Sequence, residues 1–308
     1  MALGDVGPTR LGPDERPQPG NLRYGLFNVA PPQTITASAE DPNRADHAYG
    51  GGLLYDPIGC GSAHRYEIDC PPTATKSFDA NSPEIPVLPF AVYATLVCGP
   101  FGESVQYMTD KTGERLYASE QHAVEAAFWL GDVGNSPFIA DAAGPYGAPV
   151  DVSGGLSFAT VTDAVAALET HAYSTVPYGY NAVLHATPAV AAYAADAFLA
   201  QAAATGYGAV WGAKPDEPIL RTPLGTKWVF GGGYPGTGPA AAAPGAGHTF
   251  IWITGNVTVW RQPEWTAPPR EVMDYSHNQW RILTERGYLA TFDCFHAYAK
   301  VAIPKAAA

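Results

Sequence analysis

Residues Thr222–Arg261 read TPLGTKWVFGGGYPGTGPAAAAPGAGHTFIWITGNVTVWR, and the rest of the chain is organised around them. Two β-type runs, Thr226–Phe230 and Thr249–Trp260, are joined by a linker of Gly, Pro and Ala that has little means of forming a packed helix. In the second run Phe250, Trp252 and Thr254 fall on one face and Ile251 and Ile253 on the other. Apolar residues on both faces predict a strand covered on two sides. No charge interrupts the run before Arg261. This is a buried scaffold strand, and function must be built around it rather than displayed on it.

The chain around it has 308 residues, room for two modules or one elaborate one at roughly 100–200 residues per domain. Charged residues make up only 15% of it, against about 25% in an average soluble protein. A surface so poor in charge suits burial against partners better than life as an isolated monomer. The 33 Gly and 29 Pro imply many loops and extended arms. The formal net charge is −12 with no run of basic residues, which argues against tight binding to a phosphate backbone. The first twenty residues lack the apolar core of a signal peptide, and no stretch of about 18 apolar residues occurs. A soluble product made in a cytoplasm is expected.

Along the chain, Met1–Asp46 reads as an arm and His47–Pro86 as a long, weakly cored hairpin. Val87–Cys98 is an apolar run typical of a core strand. Glu114–Trp129 is the strongest helix signal, with Leu116, Val124, Ala127 and Phe128 on one stripe, Glu120, Gln121 and Glu125 expected outward, and Gly131 and Gly134 as stops. A second helix is predicted after a cap at Thr162, a short strand at Tyr180–His185, and a third helix from Thr187-Pro188 to Ala204. Asn278–Ala290 is expected to be helical, and the closing segment to be a strand pairing with Thr249–Trp260.

Candidate chemistry is sparse. GGGYPGTG at Gly231–Gly238 lacks the Lys and Ser/Thr of a phosphate loop, since Pro239 and Ala240 stand in their places, so a flexible connection is expected. Cys294 and His296 share one face of a predicted strand, with Asp293 before them. That spacing supplies neither a nucleophile–base contact nor an oxyanion donor, so a hydrolase using Cys294/His296 is the alternative reading rather than the first. Cys60, Cys70, Cys98 and Cys294 show no zinc-type spacing; a Cys60–Cys70 disulfide is open, and reduced thiols are the plainer expectation. Asp216 and Glu217, between prolines, read as a solvated loop, and the Asn256-Val257-Thr258 sequon as a chance match inside a strand. No catalytic, cofactor-binding or metal-binding residue is assigned.

The order of elements resembles one family. Tyr180–His185 with the Thr187-Pro188 helix start is followed by LRTPLGTKWVFGGGYPGTGP from Leu220. WITGNVTVWR from Trp252 comes next, then NQWRILTERGYLATFDCFHAYAKVAI from Asn278. This progression is similar to that of major capsid proteins of tailed bacteriophages of actinobacterial type, with their short strand, T-x-LG-x-x-V-x-x-G-x-GY, TG-x-V strand and closing AER…D…HA segment. Glu285-Arg286, Asp293 and His296-Ala297 fill the last of these. The resemblance covers roughly Ser82–Ile303 as many loose matches.

What it implies is an α+β chain with the Hong Kong 97-type capsid fold. An N-terminal arm would span 1–46, an extended loop 47–86, and a peripheral domain 87–154 with its spine helix at 114–129. An axial domain would span 155–248, and closing peripheral strands 249–308. The implied function is the shell of a phage head, self-assembling into hexamers and pentamers around double-stranded DNA, in the virion after assembly in the host cytoplasm. The implied partners are further copies of the chain, scaffolding and portal proteins, and a decoration protein, with no membrane and no sequence-specific DNA contact. An encapsulin-like compartment shell is the other reading of the same fold. Lys76 lies in the candidate loop, but no partner for a covalent crosslink is marked, so none is expected.

Overall fold

The structure is a computed structural model, and it describes residues 20, 22–36, 41, 43–57, 60, 84–98, 104–176, 178–179, 181–194, 220–263, 265–266 and 273–303. In chain order the elements are α1 (Leu26–Val29), α2 (Arg44–Gly51), β1 (Leu53–Tyr55), β2 (Ile85–Val87), β3 (Phe90–Cys98), α3 (Val105–Leu130), β4 (Val150–Asp151) and α4 (Val161–Thr170), then β5 (Val183–Ala186), β6 (Leu220–Arg221), β7 (Lys227–Phe230), β8 (His248–Thr254), β9 (Val257–Arg261), β10 (Trp265–Thr266), β11 (Met273–Asp274), β12 (Gln279–Phe292) and β13 (His296–Ala302). A further helical stretch covers 188–194.

Two sheets carry the fold. In the first, the 14-residue strand β12 pairs with β3 along one edge and with β9, β10 and β11 along the other, all antiparallel. The second has six strands in the order β4-β13-β8-β5-β7-β6. Its centre is β8, and there the alternation in the sequence is realised. Phe250 and Trp252 enter the core shared with α3, while Ile251 and Ile253 enter the core under α4.

Three sequence expectations need correction. The predicted single strand Thr249–Trp260 is broken at Gly255-Asn256, so β8 lies in the second sheet and β9 in the first. Asn278–Ala290 is not helical: Asn278 ends a turn and Gln279–Ala290 belong to β12. Ile282 packs with Met108, Arg286 and Tyr288 reach Glu120, and Phe292 meets Phe128, so the period is two and sheet pairing overrides the local helical composition. Glu120, Gln121 and Glu125 do not look outward; all three are buried.

The helices otherwise lie close to where the sequence put them. α3 starts nine residues earlier than the apolar stripe suggested, capped by the Ser104 hydroxyl, which accepts from Tyr107 N at 3.1 Å. It stops at Gly131, left-handed with φ +66°, as expected. The cap of α4 is Thr160 rather than Thr162, its hydroxyl accepting from Asp163 N at 3.1 Å.

Residues 22–36, within the segment expected as an arm, are built into the core. Leu26, Phe27 and Val29 are buried, and Gln33 bridges to Trp260 beside β9. Residues 1–19 lie outside the described residues.

Glu120 fixes α3 to the first sheet. Its carboxylate, fully buried, accepts from Arg286 Nη1 at 2.6 Å, Arg261 Nη1 at 3.0 Å and Tyr288 Oη at 2.6 Å. Replacing Glu120 by Ala leaves two arginines without their counter-charge, and about 3–5 kcal/mol of stability should be lost in urea unfolding.

His185, on β5, is wholly buried, with Nδ1 3.0 Å from Tyr234 Oη and Nε2 2.9 Å from Thr254 Oγ1. Burial lowers its pKa from 6.5 to about 3. The unfolded chain therefore takes up a proton below about 6.5 that the folded chain refuses, so stability falls as pH falls through that window. The slope from this residue is at most about 1.4 kcal/mol per pH unit. His185→Asn should flatten the pH dependence of melting between pH 6 and 4 relative to wild type; an unchanged slope would contradict the assignment.

Candidate functional site

The two sheets meet at one bend, and the sequence crosses it twice. β8 passes into β9 through Gly255-Asn256, and β12 into β13 through Asp293-Cys294-Phe295. The ladder is continuous across it, because Asp293 N donates to Asn256 O at 3.0 Å and Gly255 N to Phe295 O at 3.3 Å. Thr254 pairs with His296 on one side and Val257 with Phe292 on the other. Two residues therefore face three, which is a β-bulge, and the extra residue is Cys294 in the left-handed region at φ +57°.

Side chains from distant segments converge on this bend. The Asp293 carboxylate accepts from Tyr178 Oη at 2.9 Å and from the hydroxyl of Tyr55 at the end of β1. Tyr178 Oη also accepts from Asn256 N at 2.7 Å, and Tyr146 Oη donates to Phe292 O at 2.5 Å. Burial first, and the Asp293 carboxylate after it, raise the pKa of Tyr55, so its hydroxyl keeps its proton and donates. The Cys60 sulfur is bonded to Cys294, across 234 residues of sequence. β1 and β2 pair antiparallel from Leu53↔Val87 to Tyr55↔Ile85. Both limbs of the expected extended loop are thus rooted beside the bend, while 61–83 lie outside the described residues.

The candidate catalytic pair is taken apart by this arrangement. Cys294 is a half-cystine rather than a thiol, and both ring nitrogens of His296 face backbone carbonyls, Ile139 O at 3.0 Å and Gly147 O at 3.1 Å. Neither nitrogen presents a lone pair to a nucleophile. The cysteine expectation also changes, since Cys60 pairs with Cys294 and not with Cys70, which lies outside the described residues together with Asp216 and Glu217. Among the described residues no group of three His, Cys, Asp or Glu could hold a metal ion, and no helix is long and apolar enough to cross a membrane.

Gly231–Gly238 is a packing surface, and not the loose connection expected of it. Gly233 N donates to Glu125 Oε2 at 3.0 Å, and the indoles of Trp129 and Trp252 donate to Thr237 Oγ1 and Thr237 O, each at 3.1 Å. A Cβ on Gly233 would stand 2.0 Å from His122 O, so α3 can approach only because this residue is glycine.

The most exposed apolar side chains sit on separate elements of the chain. Tyr275 lies in the turn between β11 and β12, Tyr93 on β3, Leu54 on β1, Leu224 in the turn between β6 and β7, and Leu156 before α4, each more than 60% exposed.

No protein-family model matches the chain, and no curated protein matches it. Solved structures do. The capsid of Ralstonia phage GP4 is similar over 100% of this chain and 99% of that one, with 14% identity and a TM-score of 0.52. The capsid of the empty GTA particle is similar over 97% and 96%, with 16% identity and a TM-score of 0.51. The chain has the Hong Kong 97-type capsid fold. Within that capsid fold, the bend between the sheets and the loop root beside it are where distant parts of the chain are tied together.

The sequence left a signal for part of this. An aspartate inside the apolar run TFDCF needs a buried partner, and Asp293 finds two tyrosines. Nothing in the sequence identified which tyrosines, because Tyr55 and Tyr178 are 238 and 115 residues away.

Closeness at the bend gives a test. A Cβ on Gly255 would stand 2.4 Å from Asp293 O. Gly255→Ala should therefore cost roughly 1–3 kcal/mol in chemical denaturation. Gly50→Ala, in α2 with nothing within 4 Å, should be neutral or stabilise by up to about 1 kcal/mol.

Proposed function

We propose that the chain is the major shell subunit of a tailed-phage head, assembling with copies of itself into hexamers and pentamers that close around double-stranded DNA. The observation that carries this reading is the fold, shared with two phage-head-type capsid chains over nearly the whole length of each. The role is structural rather than enzymatic, and its site is the virion shell.

In this reading the first sheet with α3 is the peripheral domain, α3 being its spine. The second sheet with α4 is the axial domain that meets its symmetry mates at capsomer centres. The six-stranded sheet draws on strands from 155–248 and also on β4, β8 and β13 from outside that span. The same reading assigns 1–46 as the arm and 47–86 as the extended loop, of which 1–19 and 61–83 lie outside the described residues.

Composition supports the same assignment. A net charge of −12 keeps the subunit from gripping packaged DNA, and exposed apolar side chains on separate elements supply weak contacts that add up in a closed shell. Scaffolding, portal and decoration proteins are the expected partners.

The test is expression of the chain alone and together with a scaffolding protein from the same genome, followed by light scattering and negative-stain electron microscopy. Shells or capsomer rings are expected. A stable monomer under both conditions would overturn the reading, and shells filled with a cargo protein instead of DNA would move it to an encapsulin-like compartment. Deleting Met1–Gly20 should lower particle yield while leaving the subunit's melting temperature within about 2 °C, because the cores found among the described residues begin at Leu26.

A further inference from the structure

The Cys60–Cys294 disulfide joins two places whose relative position matters if the chain is a shell subunit. Cys294 is the extra residue of the bulge at the bend between the sheets, and Cys60 lies five residues beyond the end of β1, on the limb that leads into 61–83. Beside it, Tyr55 donates to Asp293, so the limb is held to the bend by one covalent and one hydrogen-bonded contact. Both cysteines are partly exposed and within reach of small solutes.

The backbone at Cys294 adds a second, independent observation. Its φ of +57° is a conformation in which a Cβ meets the following carbonyl, and a bulge of this kind ordinarily places glycine there. A cysteine at this position carries a steric cost that a glycine would not, and the structure shows what its sulfur does in return.

We propose that Cys60–Cys294 is an oxidation-controlled clamp, open as two thiols when the chain is made and closed later, which ties the limb leaving β1 to the bend between the sheets. The consequence for a shell rests on the function proposed above; the clamp itself is a property of the single chain. Closure proceeds by exchange with a small disulfide. The Cys294 thiolate attacks one of its sulfurs and releases the first small thiol. The Cys60 thiolate then attacks Cys294 Sγ in the mixed disulfide and expels the second. Two electrons pass from the protein thiols to the small disulfide, and the two thiol protons end on the two released thiols. Before closure, the limb is held by non-covalent contacts among the described residues: the Tyr55–Asp293 hydrogen bond, the β1–β2 ladder and the packing of Leu53 and Tyr55 beside Trp260.

The experiment uses the full-length chain as dissociated subunits, kept in dithiothreitol or oxidised with glutathione disulfide and then freed of it. Three readouts apply: peptide mapping without reduction, melting temperature, and the rate of trypsin cleavage at Arg65 and Lys76. Oxidation should yield a linked Cys60–Cys294 peptide, raise the melting temperature by about 5 °C or more, and slow cleavage several-fold. Cys60→Ser should abolish all three responses while melting like the reduced wild type. Cys294→Gly should also lose them, yet in dithiothreitol melt at or above wild type, since only the backbone cost is removed.

A Cys60–Cys70 linkage, or identical melting and cleavage in both redox states, would overturn the clamp. So would a Cys294→Gly variant that melts well below wild type under reduction, because the bulge would then depend on the side chain for another reason. None of these readouts requires particles. Failure to assemble therefore bears on the shell reading alone, and failure of the clamp leaves that reading untouched.

Discussion

Everything in this subunit depends on α3 being able to bury acids. A helix of 26 residues lying across a sheet would ordinarily keep carboxylates on its outer side, but Glu120 and Glu125 both point into protein. Glu120 meets two arginines and a tyrosine from the first sheet. One turn further on, Glu125 accepts from Leu26 N at 2.9 Å, Gln121 Nε2 at 2.7 Å and Gly233 N at 3.0 Å. Burial raises the pKa of Glu125, and the three donors work against that rise. The first acid ties the helix to β9 and β12. The second ties it to the N-terminal segment and to the glycine loop that follows β7. A purely apolar face could pack against these parts but would not fix the register of any of them, whereas an acceptor with matched donors does.

Once α3 is placed, the bulged ladder decides how the second sheet sits. β8–β9 and β12–β13 form one bent antiparallel pair, so the two sheets share backbone hydrogen bonds instead of only touching through side chains. The bend is sharp because Gly255 lets the Asp293 carbonyl approach and Cys294 takes the left-handed conformation. Tyr55, Tyr146 and Tyr178 then close the site from three separate stretches of chain, each hydroxyl spent on a backbone or carboxylate group that the bulge would otherwise leave bare. A connection of this kind resists bending better than a flexible linker.

The parts legible in the sequence are those with a strong local period. β8 showed its two apolar faces, β3 its run of β-branched and aromatic residues, and α3 its stripe and its terminal glycine. The stripe also held information that the polar label obscured. Leu116, Glu120, Val124 and Phe128 are spaced by four, so Glu120 sits in the middle of the apolar row, and an acid there must find a cation. Arg261 at the end of β9 and Arg286 in β12 are its counterparts. Residues 278–290 misled because Gln, Arg, Leu and Glu favour helix locally, while pairing with β3 on one side and β9 on the other is a long-range fact no window can see. The disulfide partner and the tyrosines around Asp293 were illegible for the same reason: contacts across 100 to 240 residues leave no local trace.

The unusual composition follows from the same economy of contacts. Charged residues in this chain are few, and two acids are buried among donors: Glu120 with the partly exposed Arg261 and Arg286, and Glu169 accepting from Thr222 and Thr226. Among the described residues the exposed surface combines scattered charges such as Arg44, Asp110 and Arg281 with exposed aromatic and aliphatic side chains. For a free monomer that surface would be a liability, because little charge repels one copy from the next.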